Sequence, residues 1–236
     1  MHQNRLVQCL EALKESDGLT RTQLAHRLSL HPVTVGLLVR RLVDAELVTG
    51  RPGCGDKVRG RPVTALSLNP SGMYFMGVHV DATFISCGLL DFKSNQIGHA
   101  VRPVAKRRIA EGDLKAEIAS IIRTAVCETG TPEHRVFGVG MCVSDDAGAE
   151  PAAASASCPD THSLVRSVSR EGSRDWQVHL YAKEAARSAY LKCESSDLQV
   201  DPMLRAAFSG DAGSICLGAA LLLQKSIFCR ERPKSA

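Results

Sequence analysis

Between Thr20 and Leu42 the chain encodes two short helices with almost nothing between them, and this limits its fold more than any other stretch. Thr20-Arg21-Thr22-Gln23 fits a capping box, in which a Thr and a Gln three residues later satisfy orphan amides at a helix start. Leu24, Ala25 and Leu28 supply the apolar face of that helix. Ser29-Leu30-His31 is only a tight turn, and Pro32 suits the first position of the next helix, where its missing N–H costs nothing. Val35, Leu38, Val39 and Leu42 then fall at i, i+3, i+4 and i+7, the spacing of a buried helical stripe. An earlier helix is marked by Leu6, Leu10 and Leu13, with Val7 and Cys9 beside them, and ends at Asp17-Gly18. Two helices joined by so short a turn read as a helix-turn-helix.

The face that the stripe leaves over holds Val33, Thr34, Gly36, Leu37, Arg40 and Arg41. A recognition helix enters the major groove of DNA with its N-terminal residues near base edges. Here those residues are His31, Thr34, Gly36 and Leu37. Thr34 can donate, accept or touch a thymine methyl, and Arg40, one turn on, can reach a guanine or a phosphate. Gly36 lets backbone come close. The bland alternative is a three-helix scaffold for protein contacts.

Leu47-Val48-Thr49 and Thr64-Ala65-Leu66-Ser67-Leu68 read as the two strands of a wing, with Gly50 to Pro62 as the loop between them. The loop is rich in Gly, Pro, Lys and Arg and cannot pack a core. Within it Lys57 precedes Arg59-Gly60-Arg61-Pro62, which resembles the core of an AT-hook. A narrow, A·T-rich minor groove has enhanced negative potential and draws in arginine. The alternative is a solvated basic tip that touches phosphates only.

Charge agrees with this reading. Residues 1–62 hold ten Lys or Arg against six Asp or Glu, an excess equal to the net charge of +4 on all 236 residues. Positive charge gathered on one small domain is the footprint expected of nucleic-acid binding.

The remainder is long enough, in a chain that is 44% hydrophobic, for a core of its own. No stretch approaches the roughly 20 apolar residues needed to span a bilayer. The N-terminus is polar and basic without an apolar core of the signal-peptide kind, so a cytoplasmic location is expected. The nine cysteines are odd in number, and no two are closer than 13 residues. No pair has zinc-ligand spacing, and buried reduced thiols are the ordinary reading. No metal, cofactor or catalytic residue is expected.

After the turn-rich Asn69-Pro70-Ser71-Gly72 the pattern changes. Tyr74–Val80, Phe84–Leu90 and Ile97–Val101 read as strands, with a turn over Asp91-Phe92-Lys93-Ser94-Asn95. Asp113–Glu128 reads as a helix with Leu114, Ile118, Ile121, Ile122 and Val126 on one side, and Val136–Val143 as a buried strand. Ala147–Cys158 is an Ala/Ser-biased stretch expected to be mobile. Trp176–Leu180 reads as a strand, Ala182–Cys193 as a helix and Gly213–Phe228 as a final apolar helix. Three strands followed by alternating helix and strand imply an α/β domain with a mixed sheet. The expected domains are thus a winged helix-turn-helix over 1–70 and an α/β domain over 73–236.

This order resembles the ROK family (repressor, open reading frame, kinase), and in particular its transcriptional repressors of sugar metabolism. The likeness rests on T-R-T-Q-L-A-H-R-L-S-L-H-P-V-T-V from Thr20 to Val35 and on G-R-P-V-T-A-L-S-L-N-P from Gly60 to Pro70. It continues in Gly77-Val78-His79-Val80-Asp81, Gly138-Val139-Gly140 and Gly218-Ala219-Ala220, and is strongest over about the first 100 residues. The resemblance implies a truncated actin-like α/β domain behind the DNA-binding arm. It also implies a homodimer on a two-fold symmetric, A·T-rich operator in double-stranded DNA, with a sugar or sugar phosphate as effector and no role for a membrane.

The chain also departs from the family. Family kinases carry an Asp-x-Gly-x-Thr-type phosphate loop after the first strand. Asp81-Ala82-Thr83 has no glycine there to let amides approach a phosphate. The family's Asn-Asp pair is matched by Ala182-Lys183, and lysine cannot act as the carboxylate base for a sugar hydroxyl. Glu184 stands nearby, at a helix start. The family's zinc motif is missing, and a segment between about Asp197 and Gly213 is shortened. The expectation is a repressor without kinase activity whose effector binding the shortened lobe argues against. Its alternatives are a DNA-binding or dimerisation protein with no effector response, and a vestigial sugar kinase.

Overall fold

The computed structural model describes residues 2–52, 64–81, 83–104, 111–143, 177–180, 219–221 and 223–224. These fall into two compact units that divide between Met73 and Tyr74.

The N-terminal unit runs α1 (His2–Glu15), β1 (Leu19–Thr20), α2 (Arg21–Arg27), α3 (Pro32–Asp44), β2 (Val48–Pro52) and β3 (Thr64–Leu68). Its strands form a three-stranded antiparallel sheet in the order β1-β3-β2. Leu10 and Leu13 of α1, Leu24 of α2, Val35, Leu38, Val39 and Leu42 of α3, and Val48, Leu66 and Leu68 of the sheet are all buried. The apolar stripes read from the sequence therefore meet in one core. Cys9 lies in it, and burial pushes its thiol up to about 11, which keeps it protonated and inert. Cys87 and Cys142 are buried too, whereas Cys127 is exposed.

Two details differ from the sequence reading. The two-residue strand β1 pairs Leu19 with Leu66 and Thr20 with Ala65, closing the sheet on the side away from β2. β2 also continues through Gly50, Arg51 and Pro52, which the loop-like composition had placed in the wing loop. Pairing decides it: Gly50, Arg51 and Pro52 stand opposite Leu66, Ala65 and Thr64. Pro52 is tolerated because β2 is an edge strand and Pro52 its last residue.

The second unit is a mixed α/β structure. Its strands β4 (Tyr74–Val80), β5 (Phe84–Leu90), β6 (Gln96–Pro103), β7 (Val136–Val143) and β8 (Gln177–Leu180) make one sheet in the order β6-β5-β4-β7-β8. β4, β5 and β6 pair antiparallel, while β7 lies parallel to β4 and β8 parallel to β7. The expected mixed sheet is present, with β6 longer than the segment Ile97–Val101. A parallel neighbour needs a crossover, and α4 (Glu111–Thr129) supplies it between β6 and β7. Leu114, Ile118, Ile121, Ile122 and Val126 of α4 pack on Met76, Val78, Ile85, Cys87, Leu89 and Met141 of the sheet. Phe75 stands beside Phe92 and Phe137, with ring centroids 6.2 Å and 5.9 Å away. The central strand β4 is buried on both faces, as its nearly continuous apolar run requires.

Asp91 closes the β5–β6 turn. Its Oδ1 accepts the N–H groups of Lys93 and Asn95, each at 2.8 Å. Ser94 adopts φ of 71° there, and its hydroxyl donates to Gln224 Oε1 at 2.6 Å. Gln224 Nε2 donates to the Phe92 carbonyl at 3.0 Å, which ties the helical residues 223–224 to this turn. The segments Ala147–Cys158 and Ala182–Cys193, and most of Gly213–Phe228, lie outside the described residues. Among the described residues no helix is long and apolar enough to cross a membrane.

Candidate nucleic-acid interface

The exposed face of α3 owes its position to the two helix starts before it. At α2, Gln23 N–H donates to Thr20 Oγ1 at 3.2 Å and Thr20 N–H to Gln23 Oε1 at 2.8 Å, the reciprocal pair read from the sequence. Arg27, in the last turn of α2, donates to Ser16 Oγ at 2.7 Å and pairs with Glu15, so α2 is tied to the end of α1. The chain then reverses through Ser29, whose φ is 51°, and Leu30 N–H returns to the Ala25 carbonyl at 3.0 Å. Pro32 opens α3.

His31 is the N-cap of α3: its Nδ1 accepts Val33 N–H at 3.3 Å. Read from the sequence as a base-edge contact, it has one ring nitrogen committed to the helix and keeps only Nε2 for a ligand. Pro32 has no N–H, so Thr34 has the one first-turn amide left at the positive end of the helix dipole, where anions are favoured.

Val35, Leu38, Val39 and Leu42 are buried, as their spacing requires. The opposite face carries Val33, Leu37, Arg40 and Arg41, all exposed, with Thr34 and Gly36 half-buried beside them. A Cβ built on Gly36 meets nothing within 4 Å. Glycine is therefore not required there by packing, and it leaves the helix backbone open to approach. Arg40 Nε lies 4.0 Å from Asp44 Oδ2, one turn on and exposed. So loose an exposed pair has little hold on the guanidinium and leaves it available to an incoming anion.

Gly36→Ala makes the separation of fold from binding measurable. Alanine is a better helix former than glycine by roughly 1 kcal/mol and meets no obstacle here. The variant is expected to melt higher than the parent while binding DNA more weakly, because the methyl group holds the backbone away from the groove. A higher melting temperature with unchanged DNA affinity would show that nothing approaches Gly36.

Lys57, Arg59, Gly60 and Arg61 lie outside the described residues. The two ends of the loop that carries them are held together by the Pro52–Thr64 pairing. Val33 is not among the base-edge residues read from the sequence, although the helical spacing places it on the outer face with Leu37 and it is as exposed.

In the second unit, the stretch compared with a phosphate loop is a hairpin connection. Asp81 Oδ1 accepts from Thr83 N–H at 3.2 Å and from Thr83 Oγ1 at 3.1 Å. Asp81 N–H donates to the Phe84 carbonyl at 2.9 Å. The carboxylate thus stabilises its own turn. Ala182, Lys183 and Glu184 lie outside the described residues. Among the described residues no three His, Cys, Asp or Glu side chains gather as metal ligands would.

No protein-family model and no curated protein matches the sequence. Solved structures do resemble it. A ROK family transcriptional regulator, a homolog of E. coli MLC protein, superposes with a TM-score of 0.58 over 81% of this chain at 14% identity. This chain spans 48% of the length of that protein. A ROK hexokinase from Thermus thermophilus aligns over 50% of this chain and 38% of its own, at 15% identity and a TM-score of 0.36. The first likeness is one of fold; the second is too slight to bear on it.

Proposed function

We propose that this chain is a sequence-specific DNA-binding transcription regulator, a repressor of sugar-metabolism genes without kinase activity. Residues 1–70 form its winged helix-turn-helix, with α3 in the major groove and the loop between β2 and β3 as the wing. Residues 73–236 form its shortened ROK-like domain. The observation that carries this reading is the outer face of α3, where Val33, Leu37, Arg40 and Arg41 stand exposed on a helix whose other face is locked into a core. The helix order, the tight turn into α3 and the antiparallel β2–β3 hairpin support it. So does the concentration of positive charge in residues 1–62. The fold shared with a ROK family transcriptional regulator adds support for the second domain.

His31, Thr34, Gly36, Leu37, Arg40 and Arg41 are the major-groove residues in this reading, and Lys57, Arg59, Gly60 and Arg61 act from the wing. One such module covers a short half-site, and the specificity a regulator needs comes from pairing two. The acting form is accordingly a homodimer in the cytoplasm on a two-fold symmetric operator. A sugar or sugar phosphate is the effector class that the family resemblance brings, and the shortened lobe argues against its binding. Kinase chemistry is left out because Asp81 closes its own hairpin and Ala182-Lys183 offers no carboxylate base.

The test is selection of bound duplexes from random-sequence DNA by the full chain. The expected result is one enriched motif with two-fold symmetry and A·T-rich flanks; an unenriched pool contradicts the proposal. The wing is then tested on the enriched duplex. Arg59→Ala combined with Arg61→Ala is expected to lower affinity most on A·T-rich flanks, through loss of guanidinium insertion into a narrow groove. An equal loss on A·T-rich and G·C-rich flanks would assign both arginines to phosphate contacts alone.

A further inference from the structure

The outer face of α3 carries an apolar pair that the N-terminal unit does not cover. Val33 is 65% and Leu37 62% exposed, although both are large aliphatic side chains on a well-packed helix. At i and i+4 they stand on one face, about 6 Å apart along the axis. Thr34 and Gly36 lie beside them, and Arg40 and Arg41 follow within a turn. The single acidic residue of α3 is Asp44, its last. The pair is therefore narrow, hydrophobic and flanked by positive charge.

Such a strip fits one partner chemistry well. The major groove displays thymine C5-methyl groups between two rows of phosphates, so a small apolar patch beside arginines meets both at once. Successive bases rise 3.4 Å, so side chains about 6 Å apart reach methyl groups within two base steps of each other. A second copy of this chain is a poorer occupant. It would bury Arg40 and Arg41 against a face bearing the same positive charge.

We infer that Val33 and Leu37 are specificity-determining residues that read the C5-methyl groups of thymines in the major groove. The inference rests on the DNA-binding reading above and goes beyond it, because it names the chemical group recognised and adds Val33 to the site. Arg40 and Arg41 orient the helix on phosphates or a guanine, while the aliphatic pair selects thymine over cytosine at adjoining positions.

Deoxyuridine tests this directly, since uracil keeps thymine's pairing and its O4 acceptor and lacks only the methyl. The full chain is titrated by fluorescence anisotropy against a duplex enriched from random sequence, then against duplexes with deoxyuridine replacing thymine one position at a time. One or two positions, within two base steps, are expected to weaken binding by roughly three- to tenfold each. Leu37→Ala should bind the thymine and uracil duplexes alike at one of them, and Val33→Ala at the other, in the manner of a double-mutant cycle. Both residues are off the buried stripe, so thermal melting should show both variants folded. Equal affinity for thymine and uracil at every position would overturn the inference while leaving the DNA-binding reading standing. So would a thymine preference that survives in both alanine variants. A loss of self-association in Leu37→Ala, with the thymine preference unchanged, would reassign the strip to contacts between copies. Failure to enrich any duplex would remove the DNA-binding reading, and this inference with it.

Discussion

A chain carrying both Thr34→Ala and Arg40→Ala is expected to bind its operator more weakly by roughly 2–6 kcal/mol, since each good base contact contributes roughly 1–3 kcal/mol of discrimination. Its melting temperature should stay close to that of the parent. The physical reason lies in the two faces of α3. Val35, Leu38, Val39 and Leu42 hold the helix in the core, and neither substituted residue belongs to that set. Arg40 has only a loose exposed pair with Asp44 to lose, which contributes little to folding. Specific and non-specific binding should separate as well. Affinity for unrelated DNA should fall less, because the phosphate contacts of the remaining basic residues do not depend on sequence. A gel-shift titration with unchanged operator affinity would count against α3 as the reading element.

Phe75→Ala is expected to have the opposite profile, with a large loss of stability from a residue far in sequence from the reading helix. Phe75 is fully buried in β4 and packs between Phe92 and Phe137. Removing a buried phenyl ring deletes its transfer free energy and leaves a cavity, at a cost of roughly 3–5 kcal/mol. Whole domains are stable by only roughly 5–15 kcal/mol, so the second unit should unfold at a much lower urea concentration. Phe75 touches Phe92 in the β5–β6 turn, the same turn that Gln224 holds through the Phe92 carbonyl. The loss should therefore reach that tie as well, and hydrogen exchange of the turn amides of Lys93 and Asn95 should speed up. A shift in the unfolding midpoint worth less than about 1 kcal/mol would mean that the ring is not a closed part of the core.

How far these features could be read in advance follows from how local their causes are. The α3 stripe and the capping box at Thr20 are periodic or short-range signals, and both are where the sequence places them. The helix α4 was legible by its helical period, and the strands β4, β5 and β7 as short continuous apolar runs bounded by turn residues. β1 was not legible, because two residues carry no alternation and its only cause is pairing with Leu66 and Ala65, far along the chain. The extension of β2 was hidden by composition. Gly50, Arg51 and Pro52 look like a loop, and only the partner strand makes them extended. At the interface, the capping role of His31 was not legible because histidine is an uncommon cap; it occupies Nδ1 and leaves Nε2 for a ligand. Val33 was left out of the base-edge residues. Its outward position was plain from the helical spacing, and its exposure matches that of Leu37 on the same face.

In the proposed function α3 directs this chain to particular DNA sequences. Genome-wide mapping of bound sites tests it most directly, with the unaltered chain and the Thr34→Ala, Arg40→Ala variant compared in the same cells. The expected result is a discrete set of sites sharing a two-fold symmetric motif, with half-sites one or two helical turns apart, that empties in the variant. Bound sites without a common motif, or the same sites filled equally by the variant, would contradict it.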